Sequence, residues 1–170
     1  MVILIGGATH TGKTLLAQRL LGKYGFPYLS IDHLKMGLIR SGQTALTPED
    51  DNELTPFLWN IVKEMVKTAI ENNQNLIVEG CYIPFDYKVY FTDEYLCKIK
   101  YVCLIFSEKY IRNNYSDIKN FENVIECRGE DEYPINQMIE ENRLAFEKCR
   151  KYNSEYILID DSYNVDYSIK

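Results

Sequence analysis

A three-layer α/β/α sandwich around a five-stranded parallel sheet is the fold class this sequence predicts, and two patterns and one turn predict it. Short apolar runs alternate with longer amphipathic ones through the 170 residues, the rhythm of parallel strands joined by helices. Most of the short runs are continuously apolar instead of alternating, which places them in a sheet covered on both faces. The first run breaks at Gly6-Gly7, and a helical pattern begins a few residues later.

The strands are expected at residues 2–5, 27–31, 75–78, 99–106 and 156–159. The first helix is expected from Gly12 to about Lys23, with Leu15, Leu16, Leu20 and Leu21 on one face. Asp32 opens a helix that carries Lys35 and Arg40. Thr55-Pro56 reads as an N-cap followed by a proline at the first helical position, with Leu58, Ile61, Val62, Met65, Val66, Ala69 and Ile70 at helical spacing beyond it. On that reading Trp59 packs against Leu54 as a hydrophobic staple. Further helices follow Ser107 and run from Pro134 toward Tyr152. The acidic stretch between them is either a solvated loop or a mobile lid, expected at about residues 113–133 of a single domain.

Composition narrows the function classes. The formal charge of −6 gives no bulk attraction for phosphate backbones, so a nucleic-acid partner is not expected. The five cysteines are scattered and never form a Cys-x-x-Cys pair, which argues for free thiols and against a disulfide framework or zinc site. No apolar run is long enough for a signal peptide or a membrane span, so a cytoplasmic protein without membrane contact is expected.

One motif carries chemistry. Gly7-Ala8-Thr9-His10-Thr11-Gly12-Lys13-Thr14 matches G-x-x-x-x-G-K-[ST], between a strand and a helix. The glycines let successive N–H groups turn inward to form an anion nest, and the helix N-terminus adds its own donors and positive dipole end. Lys13 supplies a charge for the β- and γ-phosphates of ATP, and the Thr14 hydroxyl a ligand for Mg2+. His10 is expected to contribute its backbone N–H alone.

Two carboxylates stand beyond strand ends, where open parallel sheets bind ligands. Glu79 ends the third strand where phosphate-loop proteins usually hold a magnesium-associated aspartate; it serves either metal or acceptor. Asp32 follows the second strand and could take the proton of an attacking hydroxyl, bind substrate, or cap its helix. Lys35 and Arg40 are candidates for binding an anionic substrate. Tyr82, Phe85, Tyr87, Tyr90 and Phe91 either wall an acceptor pocket or pack an irregular loop.

On these residues the chain resembles the small P-loop kinases: adenylate kinase, shikimate and gluconate kinases, chloramphenicol phosphotransferase and the zeta-toxin kinases. The resemblance implies the P-loop nucleoside triphosphate hydrolase fold with strand order 2-3-1-4-5. It also implies Asp32 as catalytic base, as in the last two groups, and lid arginines that stack on adenine or neutralise the transferring phosphate. Arg112 would begin the lid, Arg128 lie within it and Arg143 follow it. The expected function is ATP- and magnesium-dependent transfer of the γ-phosphoryl group to a hydroxyl, or a phosphate, of a small molecule by a monomer. A nucleoside monophosphate kinase is the nearer alternative, weakened because Glu79-Gly80-Cys81-Tyr82-Ile83-Pro84-Phe85 lacks the arginine such enzymes carry there. A nucleotide-dependent sensor or partner-binding module is the alternative of another class.

Overall fold

A computed structural model describes residues 1–121 and 133–169. Five parallel strands form one sheet in the order β2-β3-β1-β4-β5. They are β1 (Val2–Gly7), β2 (Tyr28–Ser30), β3 (Leu76–Glu79), β4 (Ile99–Phe106) and β5 (Tyr156–Ile159). The predicted strands 4 and 5 match residue for residue, and the order is the one the resemblance implies.

Helices cover both faces, giving the three layers. On one face α1 (Lys13–Tyr24) sets Leu16, Ala17 and Leu20 against Ile3, Ile5, Ile77 and Leu104, joined by Val165 and Tyr167 from the segment after β5. On the other, α3 (Asp51–Glu71) packs Leu58, Val62 and Val66 against Val2, Leu4 and Val78, and α6 (Ile135–Lys151) adds Ala145 and Cys149 beside Cys103 and Ile105. The continuously apolar strands follow from this double cover. β5 departs from it: Tyr156 and Leu158 are 38% and 46% exposed, because an edge strand has a neighbour on one side only.

The remaining helices are α2 (Ile31–Arg40), α4 (Asp93–Leu96) and α5 (Glu108–Phe121). Helix α1 starts at Gly12 and stops at Gly25, a left-handed residue whose N–H bonds Leu21 O at 2.8 Å. Helix α3 corrects the sequence reading. It begins at Asp51, so Thr55 is not its N-cap; the Thr55 hydroxyl donates to Asp51 O, and Pro56 lies inside the helix. The staple falls with it: Trp59 is buried, and its ring meets Tyr90 and Phe91 edge-on, each at 6.1 Å.

Of the expected lid, residues 113–121 belong to α5, whose Asn114 has non-helical backbone angles. The part from 122 to 132, with Arg128 and Cys127, lies outside the described residues. The four described cysteines are free thiols, and no described helix is long and apolar enough to cross a membrane.

Candidate active site

The sheet order builds the site. With β1 central and β3 beside it, the glycine-rich loop of residues 7–14 and Glu79 leave the sheet at the same edge, and β2 brings Asp32 there as well. The register is direct: Ile5 pairs with Glu79, and Glu79 with Ser30, two residues before Asp32.

The loop closes on itself through its own side chains. Lys13 Nζ donates to Ala8 O at 2.8 Å, and Thr11 Oγ1 donates to the same carbonyl at 2.9 Å; both side chains are buried. Two glycines are required here by close approach and backbone conformation. A Cβ on Gly7 (φ +138°) would stand 2.5 Å from Leu104 O, a backbone atom that cannot step aside. A Cβ on Gly12 (φ +81°) would stand 1.9 Å from the Tyr163 hydroxyl. His10 takes a left-handed backbone (φ 65°) without being glycine, and its ring meets Tyr133 edge-on at 5.1 Å.

Charges around Lys13 decide its protonation. Burial works against the ammonium, yet Cys81, Glu79 and Asp32 outweigh it and hold the pKa above its ordinary value. Lys13 is therefore a permanent cation at the base of the nest. Glu79 is buried at 1% exposure.

On the far side of the crevice the side chains form a bonded chain. Lys35 Nζ lies 3.3 Å from Asp32 Oδ1 and donates to Tyr82 Oη at 2.9 Å. Tyr82 Oη donates to Asp51 Oδ1 at 2.8 Å. Burial, then the bond to Asp51 and that carboxylate's charge, push the Tyr82 phenol far above its usual pKa, so it stays neutral and keeps its proton to donate.

The structure thus brings together residues 7–14, Asp32, Lys35 and Glu79. Arg40 stands apart, exposed at the end of α2. Arg112 is engaged with Glu108 at 2.7 Å on an exposed face of α5, and Arg143 with Glu140 at 2.6 Å and with Glu147 on α6. Three residues at the site escaped the sequence reading. Tyr163 donates toward Thr11 O and Gly12 O, each at 3.3 Å, and burial pushes its phenol up to about 12. Tyr133 bonds Glu141 and accepts from Tyr115 Oη at its carbonyl. Asp51 was hidden by the misplaced start of α3, where an earlier helix start would have drawn notice to it.

A magnesium nucleotide fits this arrangement. The nest has no room for a Cβ at Gly7 and the donors are a hydroxyl (Thr14) and a carboxylate (Glu79), hard oxygen ligands that suit Mg2+. Among the described residues no cluster of three His, Cys, Asp or Glu side chains could hold an ion by itself, so phosphate and water oxygens would complete the shell.

No family model matches the chain, and no curated protein matches it in sequence. Solved structures do match in fold. A gluconokinase from Sinorhizobium meliloti 1021 is 14% identical with a TM-score of 0.52, over 96% of this chain and 83% of that one. A shikimate kinase from Bacteroides thetaiotaomicron is 15% identical with a TM-score of 0.55, over 94% and 85%. A sugar kinase from Janibacter sp. HTCC2649 is 15% identical with a TM-score of 0.53, over 94% and 84%. The chain therefore has the α/β/α fold in which these small-molecule kinases are built.

Proposed function

We propose that this protein is a kinase that uses magnesium ATP to phosphorylate a hydroxyl of a small molecule. The observation that carries the reading is the placement of Asp32 and Glu79 at the same sheet edge as a phosphate nest with a buried, charged Lys13. The N–H groups of residues 7–14 and the start of α1 hold the β- and γ-phosphates. Lys13 exchanges its bond to Ala8 O for a phosphate oxygen and offsets charge as the γ-phosphoryl group moves. Thr14 and Glu79 would hold Mg2+, which when bound screens the phosphate oxygens. The acceptor hydroxyl oxygen forms a bond to Pγ as the Pγ–O bond to ADP breaks, and Asp32 takes the hydroxyl proton. Arg112, released from Glu108, would offset charge on the nucleotide, and the same role is proposed for Arg128.

The reading is supported by a complete loop motif in its required strand–loop–helix context and by a fold shared with solved small-molecule kinases. It is tested by ADP release from magnesium ATP with and without hydroxyl compounds, for the native chain and Asp32→Asn. An acceptor-dependent rise that the variant loses is the expected result. ATP binding with no acceptor effect anywhere would overturn the reading in favour of a nucleotide-dependent module.

A further inference from the structure

We propose that the acceptor carries no negative charge: the crevice beyond Asp32 is built for a neutral polyol or an amino alcohol, and Asp51, held through Tyr82, helps to enforce that choice. This rests on the kinase reading above and narrows its substrate.

The bonded chain Asp32–Lys35–Tyr82–Asp51 spans the acceptor side, from the first turn of α2 across the loop after β3 to the first residue of α3. It contains two carboxylates and one ammonium. That ammonium is committed: Lys35 lies 3.3 Å from Asp32, bonds the Tyr82 oxygen and sits 5.1 Å above the Tyr82 ring. Its side chain is only 14% exposed, so it does not swing freely toward a ligand. Tyr82 is a neutral partner whose hydroxyl proton is already committed to a hydrogen bond with Asp51. The start of α3, which would otherwise attract an anion, is answered by Asp51 and Glu53 in its first turn.

A second observation points the same way. Lys13 keeps its proton against burial with the carboxylates Glu79 and Asp32 nearby, which set a negative field at the crevice floor. On the kinase reading a nucleotide would engage Lys13 and Glu79, and the bonded chain places the carboxylates of Asp32 and Asp51 with Lys35 on the acceptor side. Arg40, Arg112 and Arg143, the described arginines considered for anion binding, are exposed at a helix end or paired on helix faces. An acceptor carboxylate or phosphate would give up its hydration facing two like charges. A hydroxyl or an ammonium would instead donate to those oxygens in charge-assisted bonds.

The test uses the full chain with magnesium ATP and acceptors matched in skeleton but not in charge. Sugars, polyols, nucleosides and amino sugars are set against their carboxylated or phosphorylated counterparts, with kcat/KM read from ADP release. The expected result is that the preferred acceptor is neutral or cationic and exceeds its anionic counterpart by at least about tenfold. A second measurement repeats the best pair with Asp51→Asn, which keeps an oxygen to accept from Tyr82 but removes the charge. It should shift the ratio toward the anionic member several-fold, chiefly in KM, whereas a purely structural role would lower both members alike. Preference for an anionic acceptor overturns this inference and leaves the kinase reading standing. An unchanged ratio in Asp51→Asn overturns the role of Asp51. Failure of every compound to stimulate ADP release overturns the kinase reading and this inference with it.

Discussion

Ala8 O accepts from both Lys13 and Thr11, so the glycine-rich loop is held by one carbonyl from two sides. If Lys13 turns to a phosphate, as the proposed function requires, Thr11 still holds the loop closed. Replacing Lys13 by methionine should therefore leave the melting temperature nearly unchanged while kcat/KM falls by about 10³-fold or more, compared by thermal melts and ADP release. Gly12 is the opposite case, a residue whose replacement damages structure first. Gly12→Ala combines a φ of +81° with a clash against Tyr163 and should cost about 2 kcal/mol in a denaturant titration. Combined with Tyr163→Ala, part of that cost should return, and a double-mutant cycle would measure the coupling. These two residues also mark what sequence makes legible. The nest is contiguous, so its chemistry is written in eight neighbouring residues. Tyr163 meets Gly12 from 151 residues away, and no local pattern encodes that approach.

At the scale of elements, strands were legible because burial on both faces demands apolar runs, and β4 shows it in the six buried residues from Tyr101 to Phe106. Helix starts were less so. Thr55-Pro56 has the chemistry of a helix start, but the start is made earlier, where Asp50 accepts from the Thr47 N–H at 2.7 Å and its hydroxyl at 2.9 Å. Those bonds hold the Asp50 carboxyl below the usual carboxylate range and turn the chain into α3. Pro56 consequently sits where its ring meets the preceding turn and the Asn52 carbonyl has no backbone N–H to accept. Pro56→Ala should stabilise the protein by about 1–2 kcal/mol, the helix gain less the lost restriction of the unfolded chain, as a higher denaturation midpoint. Leu58→Ala, two residues on and fully buried, should cost about 2–5 kcal/mol in the same experiment.

For the whole molecule, a ligand that binds only the folded chain must raise its stability. Magnesium ATP at about 100 times its dissociation constant should add about 2.7 kcal/mol, a melting shift of about 5–10 °C, and Lys13→Met should abolish most of it. The strand order has a further consequence. The candidate phosphate nest grows from β1, which is flanked by β3 and β4 at the centre of the sheet, whereas Asp32 follows β2, three residues long and paired only with β3. Hydrogen exchange should find β1 amides opening only with global unfolding and β2 amides opening well below it. The two halves of one crevice are thus unequal in what they can tolerate. On the proposed function, insertions and substitutions around β2 would reach the acceptor without disturbing the nucleotide, so a lineage could change what is phosphorylated while keeping the machinery that does it.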